Sequence, residues 1–131
     1  MIKVFKAHII LILMSIMCII ILIGLTGCSL QIDLGSRIDS ELDSIVKSSK
    51  QALSSNPYDY IKDSKEYKNI VSQGEKGIKE ILAKFEASNE NGLKEYIMAA
   101  ACAEILGEDI EKKTWSSGRE WYNNYIKNQK K

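Results

Sequence analysis

From residue 37 onward, apolar residues recur at intervals of three and four, the spacing that lines one face of a helix. Residues 37–53 place Ile38, Leu42, Ile45, Val46 and Leu53 on such a face, with Ser36 as the expected cap. Ser54-Ser55-Asn56-Pro57 breaks the pattern and opens a short helical segment carrying Tyr58 and Ile61, capped by Asn56 with Pro57 in its first turn. Ser64 opens another, with Tyr67, Ile70 and Val71 inside and Gly74 at its end. Beyond Gly77, the stripe Ile78, Ile81, Leu82, Phe85 predicts an amphipathic helix, with Glu75–Lys79 and Glu80–Lys84 paired on its outer side. A polar turn, Ser88-Asn89-Glu90-Asn91-Gly92, leads to a helix lined by Leu93, Ile97, Ala100, Ala101, Ile105 and Leu106 and stopped by Gly107. Ser117-Gly118-Arg119-Glu120 is a capping-box pattern ahead of Trp121, Tyr122, Tyr125 and Ile126. No stretch alternates at period two. The expectation is an all-α protein, a small helical bundle or short solenoid of about four to five helices.

The amino end follows a different rule. Lys3 and Lys6 precede residues 9–23, an uncharged apolar run broken only by Ser15, and the run ends in Gly24-Leu25-Thr26-Gly27-Cys28. A basic start, an apolar middle and small residues at the close form the three parts of an export signal. The ending resembles the lipobox of bacterial lipoprotein signal peptides, in which Leu, a small or β-branched residue and Gly or Ala precede Cys. That resemblance implies that Leu25, Thr26 and Gly27 are read by the signal peptidase. It also implies that Cys28 carries the diacylglycerol and becomes the first mature residue. Acyl chains contribute about 0.8 kcal/mol per buried CH₂, so two or three hold a domain firmly to a bilayer. An uncleaved span over residues 7–27 is the alternative that length allows, although a plain anchor has no reason to end on Thr-Gly-Cys. Either way the basic end stays inside, and the rest lies on the extracytoplasmic face of a bacterial cell membrane. The expected division is a signal peptide at 1–27, a tether at 28–36, a helix or stalk at 37–54 and a helical domain at 56–131.

Composition narrows the chemistry. The 131 residues carry 18 basic and 17 acidic side chains, and without the two signal lysines the mature chain has a net charge of −1. That balance gives no electrostatic case for nucleic acid. His8 is the only histidine and lies in the signal. The exported part therefore has no imidazole for Ser-His-Asp or Cys-His catalysis, nor for histidine-ligated metal. Of the three cysteines, Cys18 lies in the apolar run and Cys28 is the acyl site, leaving Cys102 among alanines as a small apolar core residue. Glu104, Glu108, Asp109 and Glu111 cluster near Gly107, where a pair of carboxylates would be needed for glycoside hydrolysis, but such clusters are ordinarily a solvated helix end. No catalytic residue, metal ligand or cofactor is expected beyond the covalent lipid on Cys28.

Two features point to binding. The helix pair over residues 75–107, with Gly77-Ile78, Ile81-Leu82, Phe85, a polar turn, then Leu93, Ile97, Ala100-Ala101 and Ile105-Leu106-Gly107, resembles one unit of a HEAT-type repeat. The segment from Asn56 to Tyr125 is also similar to helical modules of small Gram-positive lipoproteins and of membrane sensor peptidases. These resemblances imply a binding surface without catalysis. The second feature is the crowding of Trp115, Trp121, Tyr122 and Tyr125 beside Arg119 and Lys127. Exposed, such residues stack on sugars or anchor a protein; turned inward, Trp121 and Tyr125 cap the core. Lys127, Lys130 and Lys131 either touch anionic lipid or fray in solvent. The expected role is a non-enzymatic protein-interaction module of the cell envelope, a scaffold or sensor accessory. The alternative is a lipoprotein that binds wall glycan, with wall hydrolysis more remote.

Overall fold

Leu34, Ile38, Leu42 and Ile45 follow one another at intervals of four, four and three, and this stripe forms the inner face of the first described helix, α1 (Leu34–Val46). The computed structural model describes residue 1 and residues 33–48 and 54–130. All the helices described belong to the unit Asp33–Lys131. The signal peptide, Leu25, Thr26, Gly27 and Cys28 lie outside the described residues. Helix α1 begins three residues before the expected Arg37, because Leu34 packs against the core; Asp33 is at the cap position and Ser36 sits exposed within the first turns. Ile38, Leu42 and Ile45 are buried, and α1 packs on the three helices introduced next.

Asn56 Oδ1 accepts the Tyr58 N–H at 3.1 Å, with Pro57 at the first position, and the chain makes a single 3-10 turn, Pro57–Tyr60. Ser64 Oγ accepts the Tyr67 N–H at 3.0 Å and caps α2 (Lys65–Val71). Gly74 has φ +56°, a conformation open to glycine at little cost, so the chain reverses there and enters α3 (Gly74–Ala87) at once. Gly77, expected at the start of that helix, is instead buried within it. A Cβ there would stand 3.3 Å from the Ile70 carbonyl oxygen. Helix α4 (Leu93–Ile105) follows, then a 3-10 turn at Ile110–Lys112 and α5 (Gly118–Gln129). At the end of α4, Gly107 takes φ +79° while the Glu108 N–H donates to the Ala103 carbonyl at 2.9 Å, the left-handed stop that the sequence pattern anticipates.

The layout is a bundle with α4 as its axle. The residues from Glu95 to Ala103 are all buried, and α4 touches α1, α2, α3, α5 and both 3-10 turns. A helix apolar on every side is a buried one, and the alanine run lets its four helical neighbours approach closely. In a stacked solenoid each unit meets only its neighbours; here the alanine-rich helix is surrounded. Charged side chains then fix α1 against its neighbours. Lys84 does not pair with Glu80 but reaches Asp39 on α1 at 2.6 Å, and Lys94 bridges Asp39 and Asp43 at 3.4 and 3.0 Å. The Lys94 ammonium, hydrogen-bonded to Asp43, holds that carboxyl below the usual range. Such half-exposed pairs set orientation more than they stabilise.

Candidate functional site

The carboxy-terminal aromatics close the bundle. Trp121 is 3% and Trp115 5% exposed, so of the two places open to them, a binding surface or the core, both indoles take the core. Indole burial wins because each ring finds aromatic partners inside. Trp121 lies 6.4 Å from Phe85 and stacks on Tyr125 at 5.3 Å, while Trp115 tilts against Tyr96 at 5.2 Å. Tyr122 and Tyr125 are half-buried, with Tyr122 stacked on Phe85 at 5.0 Å.

Arg119 is likewise turned to structural use. Its guanidinium lies over the Phe85 and Tyr122 rings, 5.1 and 5.4 Å from their centroids. From there Nη1 donates to the Phe85 carbonyl at 2.8 Å, and Nη2 donates to the carbonyls of Ser88 and, at 3.1 Å, Glu90. The last carbonyls of a helix have no partner within it, and a cation at that end also meets the favourable side of the helix dipole. Arg119 therefore clamps the end of α3 to α5. Only Nε is buried without a partner among the described residues.

What remains exposed and apolar lies on the far side of Tyr125. Leu106, expected on the inner face of its helix, is 44% exposed, the only large apolar residue so placed among the described residues apart from Met1. It stands just beyond α4, where Gly107 turns the chain away. With Ile78, Leu82, Ala83 and Tyr125 it lines an open groove of about 550 Å³, rimmed by Glu75, Lys79 and Glu86 of α3. The groove is apolar along its floor and carries both signs of charge at its edge. Of the four clustered aromatics, Tyr125 alone contributes to it.

The acidic cluster forms a different, more polar cleft of about 360 Å³. Glu104 Oε2 accepts the buried Tyr67 hydroxyl at 2.8 Å, Glu111 Oε1 accepts the Tyr58 hydroxyl at 3.4 Å, and Lys62 and Lys68 stand opposite. All four carboxylates are exposed, whereas a general acid with a raised pKa needs an apolar pocket. Burial, aided by the Glu108 charge, pushes the Cys102 thiol up to about 12, so this sulfur is an inert core atom. No group of three or more His, Cys, Asp or Glu among the described residues is placed to hold a metal ion, and no described helix is long and apolar enough to cross a membrane.

The class that this fold defines is a small all-α bundle with a closed aromatic end and an apolar groove. Compared with known proteins, the chain matches no family model, no curated protein and no solved structure.

Proposed function

We propose that this chain is a membrane-anchored extracytoplasmic lipoprotein whose helical bundle acts as a non-enzymatic protein-interaction module, a scaffold or an accessory to a membrane sensor. The anchor half rests on the lipobox resemblance of Leu25-Thr26-Gly27-Cys28 after an uncharged apolar run. The observation that carries the binding half is the exposure of Leu106 on the floor of the groove with Leu82 and Tyr125. Leu106 does not stand alone but shares the groove with Ile78, Leu82, Ala83 and Tyr125, and a contiguous apolar groove rimmed by polar residues suits an apolar side chain of a partner protein. The mixed charges of Glu75, Lys79 and Glu86 favour a partner whose flanks also carry both signs.

Photo-crosslinking in the native membrane tests this reading. A crosslinker at Leu106 is expected to give one protein adduct of defined mass, and one at exposed Lys65 on α2 is expected to give none. The same products from both positions, or none from Leu106, would overturn the assignment of the groove.

A further inference from the structure

A third cleft, of about 300 Å³, opens where the 3-10 turn Pro57–Tyr60 meets the first turns of α4 and α5. In a chain that is 27% charged, no charged side chain among the described residues lines it. Its walls carry hydroxyls and an amide, among them Ser55, Asn91, Tyr96 and Ser117, with Pro57 and Leu93 as apolar patches between.

Two helix N-termini point at one place and by themselves suit an anion. Here that role is filled from within the chain. Glu95 Oε2 accepts the Gly92 N–H at 2.7 Å, and Glu120 Oε2 accepts the N–H and hydroxyl of Ser116 at 2.8 and 2.7 Å. The Ser116 hydrogen bonds hold the Glu120 carboxyl below its usual range, so an arriving anion meets negative charge already in place. Several groups facing the cleft remain free to donate. Ser117 Oγ accepts the Glu120 N–H at 3.2 Å and keeps its own proton; Asn91 Oδ1 accepts the Arg119 N–H at 3.2 Å and keeps its amide hydrogens. Tyr96 is the telling residue: its ring is packed away and the residue is 8% exposed, while its hydroxyl has no hydrogen-bond partner among the described residues. Burial raises its pKa, so it stays a donor across the physiological range. Arg119 Nε is the one buried side-chain polar atom without a partner among the described residues, so the Tyr96 hydroxyl reaches solvent and is free to donate to a ligand that displaces water there.

We propose that this cleft binds an uncharged, oxygen-rich ligand the size of one sugar residue, held by the Tyr96, Ser117 and Asn91 donors with its C–H face against Pro57 and Leu93. The volume lies at the small end of ligand pockets, which run from about 300 Å³ upward, and so fits one ring. The site is distinct from the Leu106 groove and stands or falls independently of it.

The test is an NMR titration of the full-length chain in detergent micelles with N-acetylglucosamine, with inorganic phosphate as the charged comparison. Saturable shifts are expected at Leu93, Tyr96 and Ser117 with the sugar. In Tyr96→Phe the affinity should fall roughly tenfold, as for one lost hydrogen bond to a ligand, while the thermal midpoint stays unchanged because the hydroxyl has no partner among the described residues. A soluble wall-glycan fragment that binds more tightly than the single sugar makes a polymer the natural source, and equal binding makes it a free sugar. No saturable shift, unaltered affinity in Tyr96→Phe, or stronger shifts with phosphate would each overturn the proposal.

Discussion

Gly118→Ala is expected to lower the thermal midpoint by roughly 15 °C, corresponding to about 3 kcal/mol for a domain of this size. Gly118 is the first residue of α5 and is buried against α4. A Cβ at this position would overlap the Glu95 carbonyl group and stand 2.8 Å from the Tyr96 nitrogen. These are backbone atoms of the central helix, so no side chain can swing aside to make room. The methyl group must push α5 away, and Trp121 then leaves its place over Phe85. Gly92→Ala is the matching control, because a Cβ there meets only the Glu95 carboxylate, at an ordinary 3.5 Å. Thermal melts followed by circular dichroism decide the matter. A Gly118→Ala midpoint no lower than that of Gly92→Ala would show that the two helices do not meet backbone to backbone at Gly118 as described.

Arg119→Met is expected to cost about 2 kcal/mol, since hydrogen bonds from a charged donor contribute roughly 1.5 to 3 kcal/mol each and those at Glu90 are partly screened by solvent. Methionine keeps much of the apolar stem but leaves the carbonyls of Phe85, Ser88 and Glu90 without the donor that now joins them. Arg119→Lys should recover less than half of the loss. A single ammonium cannot reproduce a planar fork that reaches three carbonyls while lying over Phe85 and Tyr122. Urea unfolding should show a lower midpoint with an unchanged slope, and amide exchange should quicken in the last turn of α3. Equal stability of the parent and Arg119→Met would remove the clamp from the account.

These two residues also show where the sequence stops being readable. Ser117-Gly118-Arg119-Glu120 announces a helix start, and Ser117 does accept the Glu120 N–H; but Glu120 reaches Ser116 instead of closing the box on Ser117. Nothing local says that Gly118 must be small to meet α4, or that Arg119 will reach back over thirty residues to the end of α3. Such long-range contacts leave no spacing in the sequence. Signals carried by a few neighbouring residues were legible: the caps at Asn56 and Ser64, the stop at Gly107 and the stripe Ile78, Ile81, Phe85 all stand as expected. The start of α1 was misplaced because Leu34 looks like tether until its packing is known. Helix α4 held more information than one face of it suggests. The unbroken apolar run from Tyr96 to Ala103 is the mark of a helix buried on all sides. The tryptophans could be read either way, because an aromatic cluster is equally at home in a core or on an interface until its partners, here Phe85 and Tyr96, are located. The groove depends on where Gly107 turns the chain and so exposes Leu106, a geometric fact with no pattern of its own.

The central claim, a helical bundle held to the outer face of a membrane by its own lipidated cysteine, is tested most directly by mass spectrometry of the mature amino terminus from membranes of cells producing the full chain. The account predicts a mature protein that begins at Cys28 and is heavier than its polypeptide by a diacylglyceryl group, with or without a further acyl chain, and that partitions into detergent. It also predicts that Cys28→Ser removes both the added mass and the processing. An unprocessed chain that begins at Met1, or a Cys28 of unmodified mass, would contradict it.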